Sequence, residues 1–156
     1  MEKTVISLGG SLIAQKAGID TEYLQQFGSL IRTYAQFKRH QFFIVCGGGN
    51  LARTYIETAT ELSGGNISTN DKDWIGIQAT RANAHLVKSL FNGQVNPEVI
   101  SNPNTNLKGK NYPITLASGY RPGNSTDAIA VRLAHKNRIK RVINEIPNRS
   151  KLRGIR

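Results

Sequence analysis

Three short apolar runs in this sequence each end at glycine residues and are each followed by a stretch with helical spacing. Apolar runs of this length bounded by glycine are typical of buried strands. A glycine turn between a strand and a helix lets backbone N–H groups approach an anion, and the start of the helix adds positive potential. The three corners therefore predict an α/β chain with a shared anion-binding cradle. In chain order they are residues 5–8 before Gly9 and Gly10, residues 42–46 before Gly47, Gly48 and Gly49, and residues 114–118 before Gly119 and Gly123.

The predicted elements follow the order strand, helix, strand, helix, helix, strand, helix, strand. This alternation favours a parallel or mostly parallel sheet with helices on both faces. The polar residues 63–72 are predicted as a loop, Asp20 or Thr21 as the cap of the first helix, and Ser125 or Thr126 as the cap of the last. Strands are expected at residues 4–8, 42–46, 114–117 and 141–144, and helices at residues 21–39, 51–62, 73–91 and 126–136.

Length and composition fit one domain with a core of its own. The chain has 156 residues, of which 38% are hydrophobic, and its one cysteine, Cys46, lies inside a predicted strand. A single cysteine cannot form an internal disulfide and is most often a small core residue, so a reducing, cytoplasmic setting is expected. The first residues run directly into a strand without a signal peptide, and no apolar run reaches the roughly 18 residues of a membrane span.

The positive charge is concentrated towards the C-terminal end. Residues 132–156 carry nine Lys and Arg and one acid, Glu145, and supply +8 of the net charge of +11. No aromatic residue is interleaved with these charges, so no stacking platform for bases is present and nucleic-acid binding is not expected. Residues 145–156 also lack helical or strand periodicity. We therefore expect a folded part at residues 1–144 and an irregular basic tail at residues 145–156, and the abrupt change predicts an interruption by a frameshift or an early stop.

Several motifs of known nucleotide and hydrolase sites are absent from the sequence. It contains no Gly-Lys-Ser/Thr of a Walker A loop, no spaced G-x-G-x-x-G and no G-x-S-x-G elbow. The three histidines have no metal-ligand spacing with one another or with Cys46, so no metal-binding residues are predicted. Covalent catalysis is thus disfavoured, whereas phosphoryl transfer requires only positioned donors and a Mg²⁺ ion to offset charge.

A few charged or polar residues near the predicted turns are candidates for binding. Arg53 lies one helical turn beyond the triple glycine, from where its guanidinium can reach back to an anion; a solvated helix arginine is the alternative. Asp73 and Asp127 are each predicted near a helix start, where N-capping is the alternative. Arg81 and Asn83 lie eight or more residues beyond Asp73 and are expected to line a different part of a cleft.

Four segments together resemble the amino acid kinase superfamily, and within it the archaeal-type uridylate (UMP) kinases. The resemblance covers about residues 3–144, and its third segment is the most specific part. Residues 1–144 would then be the N-terminal, acceptor-binding part of an amino acid kinase domain, with the half that holds the adenine and ribose of ATP missing. The segments are residues 8–11 (LGGS), 47–57 (GGGNLARTYIE), 73–84 (DWIGIQATRANA) and 122–128 (PGNSTDA).

The resemblance implies transfer of the γ-phosphate of ATP to UMP, giving UDP, with Mg²⁺ accompanying ATP, in an α/β fold that usually assembles as a hexamer. Arg53 would be the catalytic residue that stabilises charge. The residues that would face the ATP phosphates are Gly10, Ser11, Gly49 and Arg53. The residues that would bind UMP are Gly48, Asp73, Tyr120, Arg121, Pro122, Gly123, Asn124, Ser125 and Thr126.

Ser7 departs from the superfamily pattern, because many members carry a phosphate-contacting lysine at this position.

Two alternatives stay open beside UMP phosphorylation. One is another kinase of the superfamily, acting on N-acetylglutamate or carbamate, which the segment at residues 73–84 disfavours. The other is a nucleotide-binding fragment without catalytic activity.

Overall fold

The computed structural model describes residues 1–37, 40–109 and 111–147. The end of the helix predicted at residues 21–39 and residues 148–156 of the predicted tail lie outside these ranges. The four predicted strands and the four predicted helices are all present. The strands are β1 (Glu2–Leu8), β2 (Ala14–Gln15), β3 (Gly18–Ile19), β4 (His40–Cys46), β5 (Ile114–Ala117) and β6 (Arg141–Glu145). The helices are α1 (Gly10–Ile13), α2 (Thr21–Gln36), α3 (Gly49–Leu62), α4 (Thr69–Lys88) and α5 (Thr126–Lys136), with a 3₁₀ turn (Ser89–Phe91) after α4.

The central sheet consists of four parallel strands in the order β5-β4-β1-β6. In its register, Ile6 of β1 lies opposite Ile44 on one side and Ile143 on the other, and Ile44 lies opposite Leu116. The predicted parallel sheet is therefore confirmed. Because all four strands run the same way, their carboxyl ends lie along one edge of the sheet. The three glycine corners of the sequence are thus brought to a common edge.

Helices cover both faces of the sheet, as predicted. On one face, Phe27 of α2 and Val87 of α4 belong to the same buried cluster as the strand residue Ile44. On the other face, Leu133 of α5 belongs to a second cluster that includes Phe43 of β4. Burying one such side chain contributes about 1.5–3 kcal/mol. The edge that carries the glycine corners is therefore held between two packed layers.

Helix α4 begins earlier than the sequence pattern predicts. Its first residue is Thr69, not Asp73, because Oγ of Ser68 accepts a hydrogen bond from the N–H of Asp71 at 3.0 Å and caps the helix. The carboxylate of Asp71 in turn accepts a hydrogen bond from the Ser68 hydroxyl at 2.6 Å. Asp73 consequently lies in the second turn of α4 and is not its N-cap. Its carboxylate is available for another role.

The predicted caps of α2 and α5 are confirmed. The carboxylate of Asp20 accepts a hydrogen bond from the N–H of Tyr23 at 3.0 Å, and Oγ of Ser125 accepts one from the N–H of Ala128 at 3.1 Å. A cap of this kind pairs an N–H group that has no partner inside the helix and contributes about 1 kcal/mol. Ser125 thereby fixes the start of α5 next to the third glycine corner.

One edge of the sheet carries an exposed apolar surface. Val142 and Ile143 of the edge strand β6 are about two-fifths exposed. Leu30 and Tyr34 of α2 are half exposed, because among the described residues the sheet ends at β6. Strand β6 also includes Glu145, one residue beyond the predicted boundary, and the Glu145 carbonyl accepts a hydrogen bond from Gly9 at 2.9 Å.

Cys46 is a core residue, as predicted. It is fully buried at the end of β4 and its sulfur is free. Burial raises the pKa of the Cys46 thiol well above its ordinary value. The thiol is therefore protonated at neutral pH and is not a candidate nucleophile.

Candidate active site

The first two glycine turns contact each other through their backbones. A Cβ atom on Gly10 would lie 2.7 Å from the carbonyl carbons of Gly47 and Gly48, and nearer still to the nitrogen of Gly49. A Cβ atom on Gly49 would collide with Gly10 in the same way, and the φ of +59° at Gly49 also favours glycine. The end of β1 and the start of α3 therefore form one unit. We call it the glycine cradle and define it as Gly9, Gly10, Gly47, Gly48 and Gly49.

Arg53 joins the two turns of the glycine cradle through its side chain. It lies one turn into α3, and its Nη2 donates a hydrogen bond to Oγ of Ser11 at 3.2 Å. A guanidinium has five N–H donors in a planar fork, so this contact leaves donors for an anion. The side chain is exposed, and Arg53 lines the cleft next to the cradle. Phosphate binding by Arg53 stays a prediction.

A cleft of about 530 Å³ opens beside the glycine cradle. Its walls are the first two turns of α3, one face of α4 and the loop between β5 and α5. Small-molecule sites in proteins have volumes of about 300–1,000 Å³, so this cleft, which we call the α3–α4 cleft, is large enough for a nucleotide. The lining residues are Gly48, Gly49, Ala52, Arg53, Ile56, Lys72, Asp73, Gly76, Ile77, Thr80, Gly119, Arg121, Gly123, Asn124, Ser125 and Thr126.

The α3–α4 cleft is electrostatically suited to an anion. The N-termini of α3 and α5 both reach it, and each helix start presents backbone N–H groups and a positive end of the helix dipole. Arg53, Lys72 and Arg121 add three cationic side chains to its lining. Asp73 is the single acidic residue among the lining residues. A phosphate therefore finds the strongest attraction at the end where α3 and α5 begin.

Two hydrogen bonds fasten the loop between β5 and α5 to α4. The N–H of Gly119 donates to Oγ1 of the buried Thr80 at 2.7 Å, and the N–H of Gly123 donates to Oδ2 of Asp73 at 2.8 Å. A Cβ atom on Gly119 would lie 2.8 Å from Thr80 Oγ1, so glycine is required there. The loop is thus held at both ends as one wall of the cleft. Only one carboxylate oxygen of Asp73 is used for this purpose.

Asn83 supports the glycine cradle from below. Its side chain is almost completely buried, and its Nδ2 donates hydrogen bonds to the carbonyl oxygens of Gly47 at 2.8 Å and Gly48 at 3.0 Å. These bonds tie the turn after β4 to the middle of α4. A buried amide with two partners fixes backbone geometry more strictly than apolar packing does. Asn83 therefore sets the position of the cradle relative to the cleft.

Ser7 holds a carboxylate in place rather than facing an open space for phosphate. Its buried Oγ donates to Oδ1 of Asp127 at 2.6 Å, and Nδ2 of Asn144 approaches Oδ2 of the same carboxylate at 3.4 Å. The three residues connect β1, β6 and the first turn of α5. Asp127 is exposed and is not the cap of α5, since Ser125 has that role. The carboxylate is consequently a fixed, accessible group beside the third corner.

Most of the residues that the sequence assigns to a nucleotide site lie around one cleft. Those that line it are Gly48, Gly49, Arg53, Asp73, Arg121, Gly123, Asn124, Ser125 and Thr126. Tyr120 and Pro122 do not line it: the Tyr120 ring packs against the core under α5 and stacks with the Arg121 guanidinium at 4.7 Å. Gly10 and Ser11 do not line it either and lie on the other side of the cradle, next to Gly49 and Arg53.

Several residues of the site are not among those that the sequence assigns to it. Thr80 holds the loop, and Lys72 and Gly76 line the cleft. The sequence predicts Asn83 in a different part of a cleft, whereas it lies buried beneath the cradle and holds it. The signal that could have found it is a polar residue at a core position of α4, between the buried Thr80 and Val87.

The histidines and acids of the described ranges form no metal centre. Within those ranges, no group of three or more His, Cys, Asp and Glu side chains could hold a metal ion. His40 pairs with Glu2 at 2.8 Å, at the opposite end of the strands from the glycine cradle.

None of the helices described here has the length and apolar character needed to span a bilayer.

A parallel α/β sheet whose glycine turns and helix N-termini meet at one cleft is typical of α/β proteins that bind phosphate groups. The chain belongs to the amino acid kinase family, whose family model matches residues 2–147. Both the predicted fold class and the predicted resemblance are confirmed at the level of this family.

Curated proteins that are similar to this chain include uridylate kinases of archaea. That of Thermoplasma volcanium is 39% identical over 145 residues, which cover 92% of this chain and 60% of that protein. That of Archaeoglobus fulgidus is 37% identical, with 85% of this chain and 56% of that protein covered. The uridylate kinase of Methanosarcina barkeri is 34% identical, with 83% and 53% covered. The chain spans about half the length of the curated relatives it matches.

Solved structures give the same grouping. The crystal structure of uridylate kinase from Archaeoglobus fulgidus matches with a TM-score of 0.78 and 35% identity, covering 94% of this chain and 64% of that one. The aspartate kinase from Synechocystis matches with a TM-score of 0.71 and 12% identity, covering 92% of this chain and 28% of that one. The second match supports the shared fold alone.

Proposed function

We propose that the α3–α4 cleft binds UMP as a phosphate acceptor, and that this chain is the acceptor-binding part of a kinase that transfers the γ-phosphate of ATP to UMP. The observation that carries the proposal is one nucleotide-sized cleft with two helix N-termini and Arg53 at one end and Asp73 further along. Relatives named uridylate kinase, at 34–39% identity, favour UMP over N-acetylglutamate or carbamate.

In the proposed acceptor site, each group has a defined task. The phosphate of UMP lies at the start of α5, near Ser125 and Thr126, and at the start of α3, near Gly48. The carboxylate oxygen of Asp73 that the loop does not use accepts a hydrogen bond from a ribose hydroxyl. Arg121, stacked and therefore oriented, adds positive charge at the rim. The oxygen of the UMP phosphate that receives the γ-phosphate then points towards the glycine cradle.

In the proposed donor site, this chain contacts the phosphates of ATP. Gly10, Ser11 and Gly49 present backbone and hydroxyl donors, and the Arg53 guanidinium stabilises negative charge that develops on the transferred group. Mg²⁺ bound with ATP supplies further charge neutralisation, and the fixed, exposed carboxylate of Asp127 is the side chain that fits as an additional ligand. No covalent intermediate is needed, because the acceptor oxygen attacks the γ-phosphorus directly and ADP leaves.

We further propose that residues 1–144, together with Glu145 of β6, form the acceptor-binding part of a longer amino acid kinase domain. The shorter span relative to the relatives and the apolar surface along β6 and α2 support this division. We also propose that the protein acts in the cytoplasm, where UMP and ATP are available. A nucleotide-binding fragment without catalytic activity is the alternative, and it predicts UMP binding with no phosphoryl transfer.

Titration of the full chain with UMP by calorimetry tests the proposal. We expect saturable UMP binding, and weaker ATP binding in the presence of Mg²⁺, because the residues proposed for ATP reach only its phosphates. Arg53 lines the same cleft at the start of α3, so its guanidinium also attracts the phosphate of UMP, and Arg53→Ala is expected to weaken UMP binding about tenfold to a hundredfold. Arg53→Lys retains the charge but not the planar fork of N–H donors. Its UMP affinity is expected to lie between that of the wild type and that of Arg53→Ala.

Arg132→Ala is the matched control for this titration. Arg132 is an exposed arginine of α5 that does not line the cleft, and the substitution removes the same charge. Its UMP affinity should equal that of the wild type. The proposal is wrong if the wild type does not bind UMP. It is also wrong if Arg53→Ala and Arg132→Ala weaken UMP binding equally.

We propose in addition that copies of this chain associate through the outer face of α3 and α4. Helix α3 has 14 residues and none is fully buried. Its Tyr55 is 63% exposed, and an apolar groove of about 400 Å³ lies between the two helices. The groove is lined by Leu51, Tyr55, Ile75, Gln78, Ala79 and Ala82. The same surface on a second copy is chemically self-complementary, as the twofold contacts of homo-oligomers require.

Sedimentation velocity over a concentration series tests this association. We expect the wild type to form dimers or larger assemblies, and Tyr55→Ser to shift the distribution towards monomer because it removes the largest apolar contact of the groove. Tyr112→Ser is the control, since Tyr112 is also partly exposed but lies outside the groove. An unchanged distribution for Tyr55→Ser would contradict the proposed surface.

A further inference from the structure

One face of α4 forms the floor of the α3–α4 cleft. Asp73, Gly76, Ile77 and Thr80 follow one another at spacings of three, one and three residues, so they lie on the same face of the helix. Three of the four have clear tasks: Asp73 and Thr80 hold the loop, and Ile77 packs into the core. Gly76, in the middle of this face, makes no comparable contact.

Packing does not require a glycine at position 76. A Cβ atom there would have one neighbour within 4 Å, Cδ1 of Ile56 at 3.9 Å, which is an ordinary van der Waals distance. The φ of Gly76 is not in the left-handed region, so alanine can adopt the same backbone conformation. Glycine inside a helix is less favourable than alanine. Alanine at position 76 would therefore fit and would make the helix more stable than glycine does.

The other glycines of the cleft have reasons within the protein. Gly49 and Gly123 have φ values of +59° and +81°, which favour glycine. A Cβ atom on Gly48 would lie 2.7 Å from the Cβ of Ala52, and one on Gly119 would lie 2.8 Å from Thr80 Oγ1. Those two glycines are explained by contacts within the protein. At Gly76, the space that a side chain would occupy belongs to the cleft, next to Ile56, which also lines it.

We infer that Gly76 determines which ligands fit the cleft, because its bare backbone is the surface on which the ribose and base of a nucleoside monophosphate lie. This inference rests on the proposed UMP site and extends it. The surroundings fit the uncharged part of the nucleotide: Ile56 and Ile77 offer apolar surface, and Asp73 lies one turn away for a hydroxyl. The phosphate, in contrast, is attracted to Arg53 and the two helix starts.

A size series at position 76 tests the inference on the full chain. Gly76→Ala is expected to raise the melting temperature and to weaken UMP binding about tenfold, because the new methyl group occupies ligand space. Gly76→Leu, with another good helix former, should weaken UMP binding further. Binding of inorganic phosphate should change by less than about twofold in both variants. Asn70→Leu, which adds the same side chain to an exposed site of α4, should bind UMP like the wild type.

The outcomes separate the two proposals. Gly76 is not a specificity residue if the wild type and Gly76→Ala bind UMP equally. The same holds if Gly76→Ala and Gly76→Leu lose phosphate binding and UMP binding in parallel. In either case the proposed UMP site itself is not contradicted. If Gly76→Ala is less stable than the wild type, the space at position 76 is not open and the inference is also wrong. If the wild type does not bind UMP, the proposed function fails and this inference fails with it.

Discussion

Replacing Gly10 with alanine is expected to lower the free energy of unfolding by roughly 3 kcal/mol or more. The added Cβ would collide with the backbone of residues 47–49, and backbone atoms cannot move aside as the end of a side chain can. Relief requires that the end of β1 separates from the start of α3. Since small domains are stable by about 5–15 kcal/mol in total, a loss of this size removes a large fraction of that stability.

Urea denaturation followed by circular dichroism measures this loss. The matched control is Gly76→Ala, also a glycine of the site, where a Cβ atom finds open space and the helix gains about 1 kcal/mol. The two substitutions should therefore shift the denaturation midpoint in opposite directions. A Gly10→Ala protein as stable as the wild type would mean that the two turns are not interlocked.

The glycine cradle could be predicted from the sequence because its signals are local. Each strand is an apolar run, each run ends at glycine, and parallel strands bring their carboxyl ends to one edge. What the sequence could not provide is the contact between Gly10 and Gly49, whose backbones come from turns 39 residues apart. Glycine at both positions is consistent with a turn, and only the structure shows the close approach that excludes every other residue.

The contact that Asp73 makes could not be predicted, because the sequence pattern places the start of its helix too late. The apolar residues of this helix begin only at Trp74, so the polar residues 63–72 before it predict a loop. The local signal was nevertheless present, since Ser68 followed three residues later by the acid Asp71 is an N-terminal capping pattern. With the helix start at Thr69, Asp73 projects from the second turn, where its carboxylate meets Gly123.

The partners of Ser7 and Tyr120 depend on long-range packing. Ser7 and Asp127 are 120 residues apart in the chain, and no local pattern connects them. Tyr120 belongs to the third glycine corner, and its place in the motif predicts ligand contact. The ring instead packs on the core beneath α5, because an aromatic side chain gains more from apolar burial than from the rim of a polar cleft.

Asn83→Leu is expected to destabilise the protein by roughly 2–3 kcal/mol, even though leucine has a similar size and favours helix. The amide is nearly completely buried, and its loss leaves the carbonyl of Gly47 without the partner that it has at 2.8 Å. The cradle should also become less ordered, so UMP affinity should fall together with stability. Asn70→Leu, an exposed position on the same helix, should leave both quantities unchanged.

Asn83→Asp distinguishes the hydrogen bonds from simple packing. The new carboxylate would face two carbonyl oxygens in a buried site, so its folded-state pKa should rise above the ordinary value of about 3.9. A carboxyl group that binds its proton more tightly when folded stabilises the protein below the unfolded pKa, and that stabilisation is lost as the pH rises through the folded pKa. The stability deficit of Asn83→Asp relative to the wild type should therefore shrink when urea denaturation is repeated at pH 4 instead of pH 7. A deficit that does not depend on pH would show that Asn83 acts only by filling space.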